Sequence, residues 1–411
     1  MKITDFKILI CFLLFMTSCD HEQNTTDEED LGNYFDIDFE ALSERYVPLD
    51  TIPLSDSINY FNFDINIDHI KENKITAAQF PNLSVYMLDS TGTPKKKITQ
   101  AGDAPGMLGN ARTALSVIDE NENIFVLTTG NRYRLFMFDK NYNYIKSFNL
   151  FKLVDDVYVH PASNAIKLLN KNKDQLSLII SVGSTVYGSH SADFFENAMS
   201  LVEFTIDLSK LEVVDYVKHL PYKEIPEVKE ALVDEQIWWN LNEAVFDFQE
   251  DSYYLIYPFS KHVTIYDTKF NFVDNINFEK LEALTYQKYS EPMGTLPLDV
   301  YDRTVSMLRL EYENFNINFI DIKGNYLLIQ FPEILRENSN QLPTKEEIGL
   351  PRHAPPRHLN AIIKNLETGE EKFIVLPTDF YRIEIIDRNT FYGYYSSTEE
   401  EFNALIKFRY E

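Results

Sequence analysis

Cysteine is almost missing from this chain. Two are present, Cys11 and Cys19, both close to the start. A disulfide framework, a cysteine metal site and a cysteine nucleophile are therefore excluded from everything after Cys19. Basic residues are also scarce: 38 Lys and Arg stand against 64 Asp and Glu, a formal net charge of -26. That charge repels phosphate backbones and anionic headgroups at long range, so no nucleic-acid partner is expected. Long apolar runs are lacking too. The run at the start, Ile8–Met16, falls well short of the ~20 residues that span a bilayer as a helix. Of catalytic signatures, neither a G-x-S-x-G elbow nor an H-E-x-x-H zinc helix occurs. The one glycine-rich stretch, Gln100–Gly109 ("QAGDAPGMLG"), lacks the Lys-Ser/Thr ending of a P-loop and the spacing of a dinucleotide fingerprint, and reads as a connection.

What is abundant is core material with a preference for strands. Hydrophobic residues make up 44% of the chain, with 30 Phe and 25 Tyr, enough for a sizeable interior and a bias towards β-structure. The start has its own grammar. Lys2 and Lys7 precede the Ile8–Met16 run, whose length suits the h-region of a secretory signal. Met16, Thr17, Ser18 and Cys19 then resemble the lipobox of bacterial lipoproteins: an aliphatic residue and two small ones before the lipidated cysteine. The resemblance implies that residues 1–18 are removed and that Cys19 carries lipid, several acyl chains holding a membrane far more firmly than one. An ordinary cleaved signal and a buried helix are the alternatives. From Asp20 to Glu40 there are acids and no Lys or Arg, the composition of a solvated tether; residues 19–44 are assigned to it.

Beyond that tether a phrase repeats. A first type of hairpin, alternating apolar residues on both sides of a polar turn, occurs at Phe63–Gln79, Ala114–Thr128, Ala165–Val182, Glu243–Pro258, Phe315–Pro332 and Arg382–Tyr395. A second type follows at Leu83–Thr99, Leu135–Asn149, Val202–Val217, Val263–Phe278 and Ala361–Leu376. Two hairpins make a four-stranded antiparallel sheet, the blade of a propeller. The count gives five complete blades and a sixth that has only Asn403–Glu411 after its first hairpin. Its missing outer strand is expected from Arg45–Leu54, closing the ring and removing an open edge. The fold expected is thus all-β: a six-bladed propeller over residues 45–411, its last blade completed by an N-terminal strand, with a few helical insertions. Insertions occur at Ser189–Ser200, His219–Asn242, Leu281–Glu313 and Arg336–His358, and Glu227–Leu241 looks helical.

The stretch Lys95–Phe148 resembles the blade phrase of the NHL-like, or TolB-like, six-bladed propeller lipoproteins common in Bacteroidota. In that phrase a glycine-rich loop precedes "D-x-x-G-N-I-Y-V-x-D" and "V-F-D-x-x-G". Here Ala101 and Ala104 stand at frequent glycine positions, and Glu122 replaces the turn glycine. The resemblance implies a fold and an address, in the cell envelope and on the outer membrane, rather than an activity.

Candidate binding residues are few. Arg352, His353, Arg357 and His358 concentrate positive charge in one Pro-stiffened loop; paired guanidinium forks could hold a carboxylate, sulfate or phosphate, imidazoles could take a metal, and a surface loop facing nearby acids is the plainer alternative. Trp238 and Trp239, the only tryptophans, lie side by side; one indole could stack on a sugar or apolar ligand while the other packs, or both could pack. Arg132 and Arg134 follow a blade turn and could reach a channel mouth or pair with acids across strands. Ser189, His190 and Asp193 are too close in sequence to converge as a triad. His69, His160, His219 and His262 read as turn or surface residues. No metal or cofactor is expected.

The reading is a non-catalytic module, membrane-bound through Cys19, that takes a small-molecule, glycan or protein ligand. The rivals are a carbohydrate or lactone hydrolase or lyase with several carboxylates or a Ca²⁺ converging at the funnel, and a structural component of an envelope assembly.

Overall fold

The computed structural model describes residues 42–54, 65–71, 74–79, 83–99, 106–109, 111, 113–129, 133–159, 166–172, 174–187, 192–226, 228–229, 244–258, 260–282, 317–332, 358–397 and 402–411. Strand β1 (Tyr46–Pro53) is followed by blade 1, of β2 (Ile65–Lys71), β3 (Lys74–Gln79), β4 (Ser84–Asp89) and β5 (Pro94–Thr99). Blade 2 is β6 (Ala114–Ile118), β7 (Ile124–Thr128), β8 (Leu135–Phe138) and β9 (Tyr144–Phe148). Blade 3 holds β10 (Val157–Val159), β11 (Ile166–Asn172), β12 (Gln175–Ser184), β13 (Met199–Asp207) and β14 (Glu212–Pro221). Blade 4 is β15 (Val245–Gln249), β16 (Ser252–Ile256), β17 (His262–Asp267) and β18 (Phe272–Asn277). Blade 5 is β19 (Phe319–Lys323), β20 (Tyr326–Pro332), β21 (Leu359–Asn365) and β22 (Glu371–Leu376). Blade 6 is β23 (Phe380–Ile385), β24 (Thr390–Ser397) and β25 (Phe402–Tyr410), with β1 outermost. The six antiparallel sheets form a ring, a six-bladed β-propeller.

The expected closure is present. β1 pairs with β25 from Tyr46↔Tyr410 to Pro53↔Ala404, and Leu54 N donates to Asn403 O at 2.9 Å. Tyr46 packs its ring 5.0 Å from Phe408 and 5.4 Å from Phe380. Leu54, Ile75, Ala77, Tyr86, Leu88, Tyr394 and Leu405 join blade 6 to blade 1 in one apolar cluster. The core lies between blades: one cluster spans blades 1 and 2, another blades 2 and 3, a third blades 3 and 4, and a fourth blades 5 and 6. Middle strands are therefore apolar on both faces; every residue of β7 and β8 is buried, as befits sheets covered on both sides.

Blade 3 departs from the expected two hairpins. β12 runs ten residues, and only its first part pairs with β11, as far as Ile166↔Ile180. β10 takes the remainder, Val157↔Ser184 to Val159↔Val182. The long strand outlasts its hairpin partner, and its leftover main-chain groups are satisfied by a second segment in the innermost position. His219 also differs from the turn or surface assignment: it lies within β14, its side chain largely buried. Among the insertions, a short helix α1 (Ala192–Asn197) occupies the first, and α2 (Glu279–Glu282) runs into the start of the third; most of Glu227–Leu241 lies outside the described residues.

Two local devices recur. The blade turns share an Asp whose carboxylate accepts the N–H groups two and four residues on, with the intervening residue in the left-handed region. Gly92, Glu122, Tyr142 and Phe270 fill that position at φ 78°, 62°, 67° and 60°. Glu122 thus adopts the geometry of the glycine it replaces, the Asx bonds offsetting a backbone that side chains disfavour. The outermost strands carry β-bulges, leaving Leu49, Lys95, Ile145, Val214 and Val273 without a cross-strand partner. All but Lys95 are exposed apolar residues. A bulge twists an edge away from regular pairing and blunts it against edge-to-edge association. β22 pairs without a bulge, and its edge is covered instead: Val375 N donates to Tyr410 Oη, and the Glu371 carboxylate accepts Glu279 N and Lys280 N of α2.

Candidate functional site

The innermost strands β15, β19 and β23 each carry an acid flanked by apolar residues: Asp247, Asp321 and Glu384. An inner strand has one main-chain edge with no strand beside it, and Asp247 and Asp321 serve that edge on the following blade. Asp247 Oδ2 accepts the N–H of Ile322 at 3.0 Å, and the Gln249 amide meets both N and O of Gly324 at 2.7 and 2.8 Å. One blade on, Asp321 Oδ2 accepts Ile385 N at 2.6 Å and Gln330 Oε1 accepts Ile383 N at 2.9 Å. Lys167 of β11 extends the chain backwards with an ion pair to Asp247 Oδ1 at 2.6 Å. Glu384 pairs with buried Arg382, whose guanidinium lies over the rings of Phe319 at 4.4 Å and Tyr394 at 4.7 Å.

Electrostatics at this wall are uneven. Burial pushes the Asp321 carboxyl up to about 8, and the like charges of Asp247 and Glu384 add to the effect; the Ile385 N–H and Lys167 oppose it. Asp321 is only half-buried by its own surface. A carboxyl held up in this way keeps its proton at neutral pH and can donate a hydrogen bond or a proton. Burial likewise raises the Tyr394 phenol, with Glu384 adding to it.

A second polar cluster joins Ser177, Glu203, His219 and Lys171 in blade 3. Glu203 accepts from Ser177 Oγ at 2.7 Å and pairs with Lys171 Nζ at 2.6 Å and His219 Nε2 at 3.0 Å. Burial alone would raise the Glu203 carboxyl, but bonds from His219, Lys171 and Ser177 outweigh it and bring it down to about 2. The carboxylate stands between serine and histidine, so the imidazole has no path to the serine proton. The geometry is that of an ion-pair network and differs from a nucleophile–base–acid relay. Among the described residues no group of three or more His, Cys, Asp or Glu is placed to hold a metal ion.

Of the residues singled out in the sequence, Cys19, Arg132, Trp238, Trp239, Arg352, His353 and Arg357 lie outside the described residues, as do Ser189 and His190. His358 precedes β21, half-buried, with Nδ1 3.0 Å from Leu376 O. Arg134 has an exposed side chain, while its main chain closes the β7–β8 connection through Thr128. These two stand in blades 5 and 2, which are not neighbours in the ring. Sequence reasoning missed Asp247, Asp321 and Glu384, although "FDF", "IDI" and "IEI" in the first strand of three successive blades were a readable signal.

No protein-family model matches the chain, and no curated protein matches it. Solved structures do overlay on it. A proposed exported protein of Bacteroides fragilis is 10% identical, covering 92% of this chain and 97% of that one, with a TM-score of 0.47. A Bacteroides caccae protein of unknown function is 10% identical over 77% and 81%, at 0.36. A streptogramin B lyase is 9% identical over 90% and 99%, at 0.40. At these values the likeness carries nothing about function.

Proposed function

We propose that this protein is a lipid-anchored, extracytoplasmic binding module whose rigid ring presents its connecting segments to a small-molecule, glycan or protein ligand without catalysing a reaction. The observation that carries this reading is the use of the central carboxylates: Asp247 and Asp321 accept main-chain N–H groups of the following blade, a structural duty that stiffens the platform. The chain's individuality lies between its hairpins, in the segments where binding residues concentrate on rigid scaffolds. The address rests on the lipobox-like residues before Cys19, with residues 1–18 as signal, 19–44 as tether and 45–411 as propeller.

A hydrolase or lyase is the second reading, favoured by one observation: the Asp321 carboxyl is pushed up to about 8 beside two other acids, the poise of a general acid. Turnover separates the two. The protein is expected to leave lactone and glycoside substrates intact; turnover that disappears in Asp321→Asn would establish the enzyme. For the anchor, metabolic labelling with a fatty-acid analogue is expected to mark wild type and not Cys19→Ala, and equal labelling would refute it.

A further inference from the structure

A cleft of about 240 Å³ opens where the outer hairpin of blade 5 meets the inner hairpin turn of blade 6, lined by Tyr326, Asn365, Glu370, Lys372, Arg388 and Asn389 among others. In a chain of net charge -26, two of its lining side chains are cations. The Lys372 ammonium is fixed, donating to Tyr410 O at 2.7 Å and lying 5.0 Å from the centre of the Tyr410 ring. Tyr410 is fixed in turn, donating from Oη to Leu42 O at 2.9 Å and accepting Val375 N. Arg388 is held by Glu370, but both bonds, 3.1 and 2.8 Å, come from one nitrogen, Nη2. The rest of the guanidinium fork makes no bond to that carboxylate. Asn365 turns its Oδ1 to the N–H groups of Glu367 and Thr368 at 2.9 and 3.1 Å, so what it can offer a ligand is its amide donor.

We propose that this cleft binds a small oxyanion, a phosphate or carboxylate group, between the Lys372 ammonium and the Arg388 guanidinium, with the Asn365 amide as a neutral donor. The charge balance supports it. Burial lowers the Lys372 ammonium's pKa, and the nearby cations Arg45 and Arg388 lower it further, against the weaker opposing influence of Glu370 and Glu411. A bound anion would favour the charged form of this partly buried ammonium. Acids elsewhere in the protein oppose this only weakly, since exposed charges beyond ~8 Å are screened at physiological ionic strength. The cleft is smaller than the ~300 Å³ at which drug-sized pockets begin, which suits a compact solute. The site lies away from the ring's centre, so its failure would leave the reading of that centre as structural untouched.

Calorimetric titration of the full chain at pH 7 with inorganic phosphate, and separately with acetate at matched ionic strength, tests the proposal. Saturable binding of at least one is expected, weakened about ten-fold or more in Arg388→Gln and weakened again by raising potassium chloride. Phosphate alone saturating assigns a phosphate ligand; both saturating assigns any compact oxyanion. Arg388 is largely exposed, so Arg388→Gln folds, while Lys372→Met is read only alongside its unchanged melting temperature. No saturable binding of either anion, or equal affinity in Arg388→Gln, overturns the site.

Discussion

Replacing Asp321 by Asn isolates the raised carboxyl at the ring's centre. The amide keeps the shape of a protonated carboxyl and its Oδ1 can still accept Ile385 N, while the negative charge facing Asp247 and Glu384 is gone. With the carboxyl raised from 3.8 to about 8, the native state binds more protons than the unfolded state between those values. Wild-type stability from this group is therefore full below about pH 4 and declines as pH rises to about 8. The full linkage is about 6 kcal/mol at ~1.4 kcal/mol per pKa unit. Water at the accessible part of the carboxyl screens these charges and reduces the realised effect to roughly 2–3 kcal/mol. With an unfolding entropy of about 2.1 cal/mol/K per residue, a domain of this length shifts by roughly 1.3 °C per kcal/mol. Asp321→Asn should thus melt about 3–4 °C above wild type at pH 8.5 and level with it at pH 4, by circular dichroism or calorimetry. Groups away from this cluster titrate alike in both proteins, so the difference profile belongs to Asp321 and the acids it faces, Asp247 and Glu384. A flat profile, or a variant less stable at pH 8.5, refutes the assignment.

Two further outcomes follow from particular contacts. Gly92 sits at φ 78° in the β4–β5 turn, where an added Cβ would run into Pro53 O of the closing strand; Gly92→Ala should cost roughly 1–3 kcal/mol and raise protease cleavage within β1, and unchanged stability would show that β1 yields freely. Glu203→Gln removes a carboxylate held at about 2 by His219, Lys171 and Ser177. Its contribution is present above about pH 4.5 and lost as pH falls towards 2, so the variant should be about 2 kcal/mol less stable at pH 7 and indistinguishable from wild type near pH 2. A deficit that persists at pH 2 would point to packing instead of charge.

Much of the architecture was legible because a blade is a local object. Alternation around an Asp turn marks each hairpin within some twenty residues, and the Asx bonds at Asp89, Asp119, Asp139 and Asp267 show why that acid recurs where the chain must turn left-handed. The closing strand was legible by arithmetic: blade 6 lacked one strand and Arg45–Leu54 had no other partner. β10 was not legible, since three residues carry too little pattern and its pairing depends on how far β12 outlasts β11. Nor was the interior position of His219, which follows from blade 4 bringing Phe270 to within 4.1 Å of its ring.

Composition and order alone determine that this chain is acidic, rich in strands, built of repeating hairpins and, after Cys19, without thiol chemistry. They do so because turn residues, alternation and charge act over a few neighbours. Tertiary structure alone decides which of 64 acids matter at the centre. Asp247, Asp321 and Glu384 resemble many other carboxylates until the ring closes, when Asp247 and Asp321 each bond the inner edge of the following blade and the like charges of all three acids meet. The same closure, bringing hairpins more than ten residues apart in sequence side by side, sets Lys372 and Arg388 in one cleft.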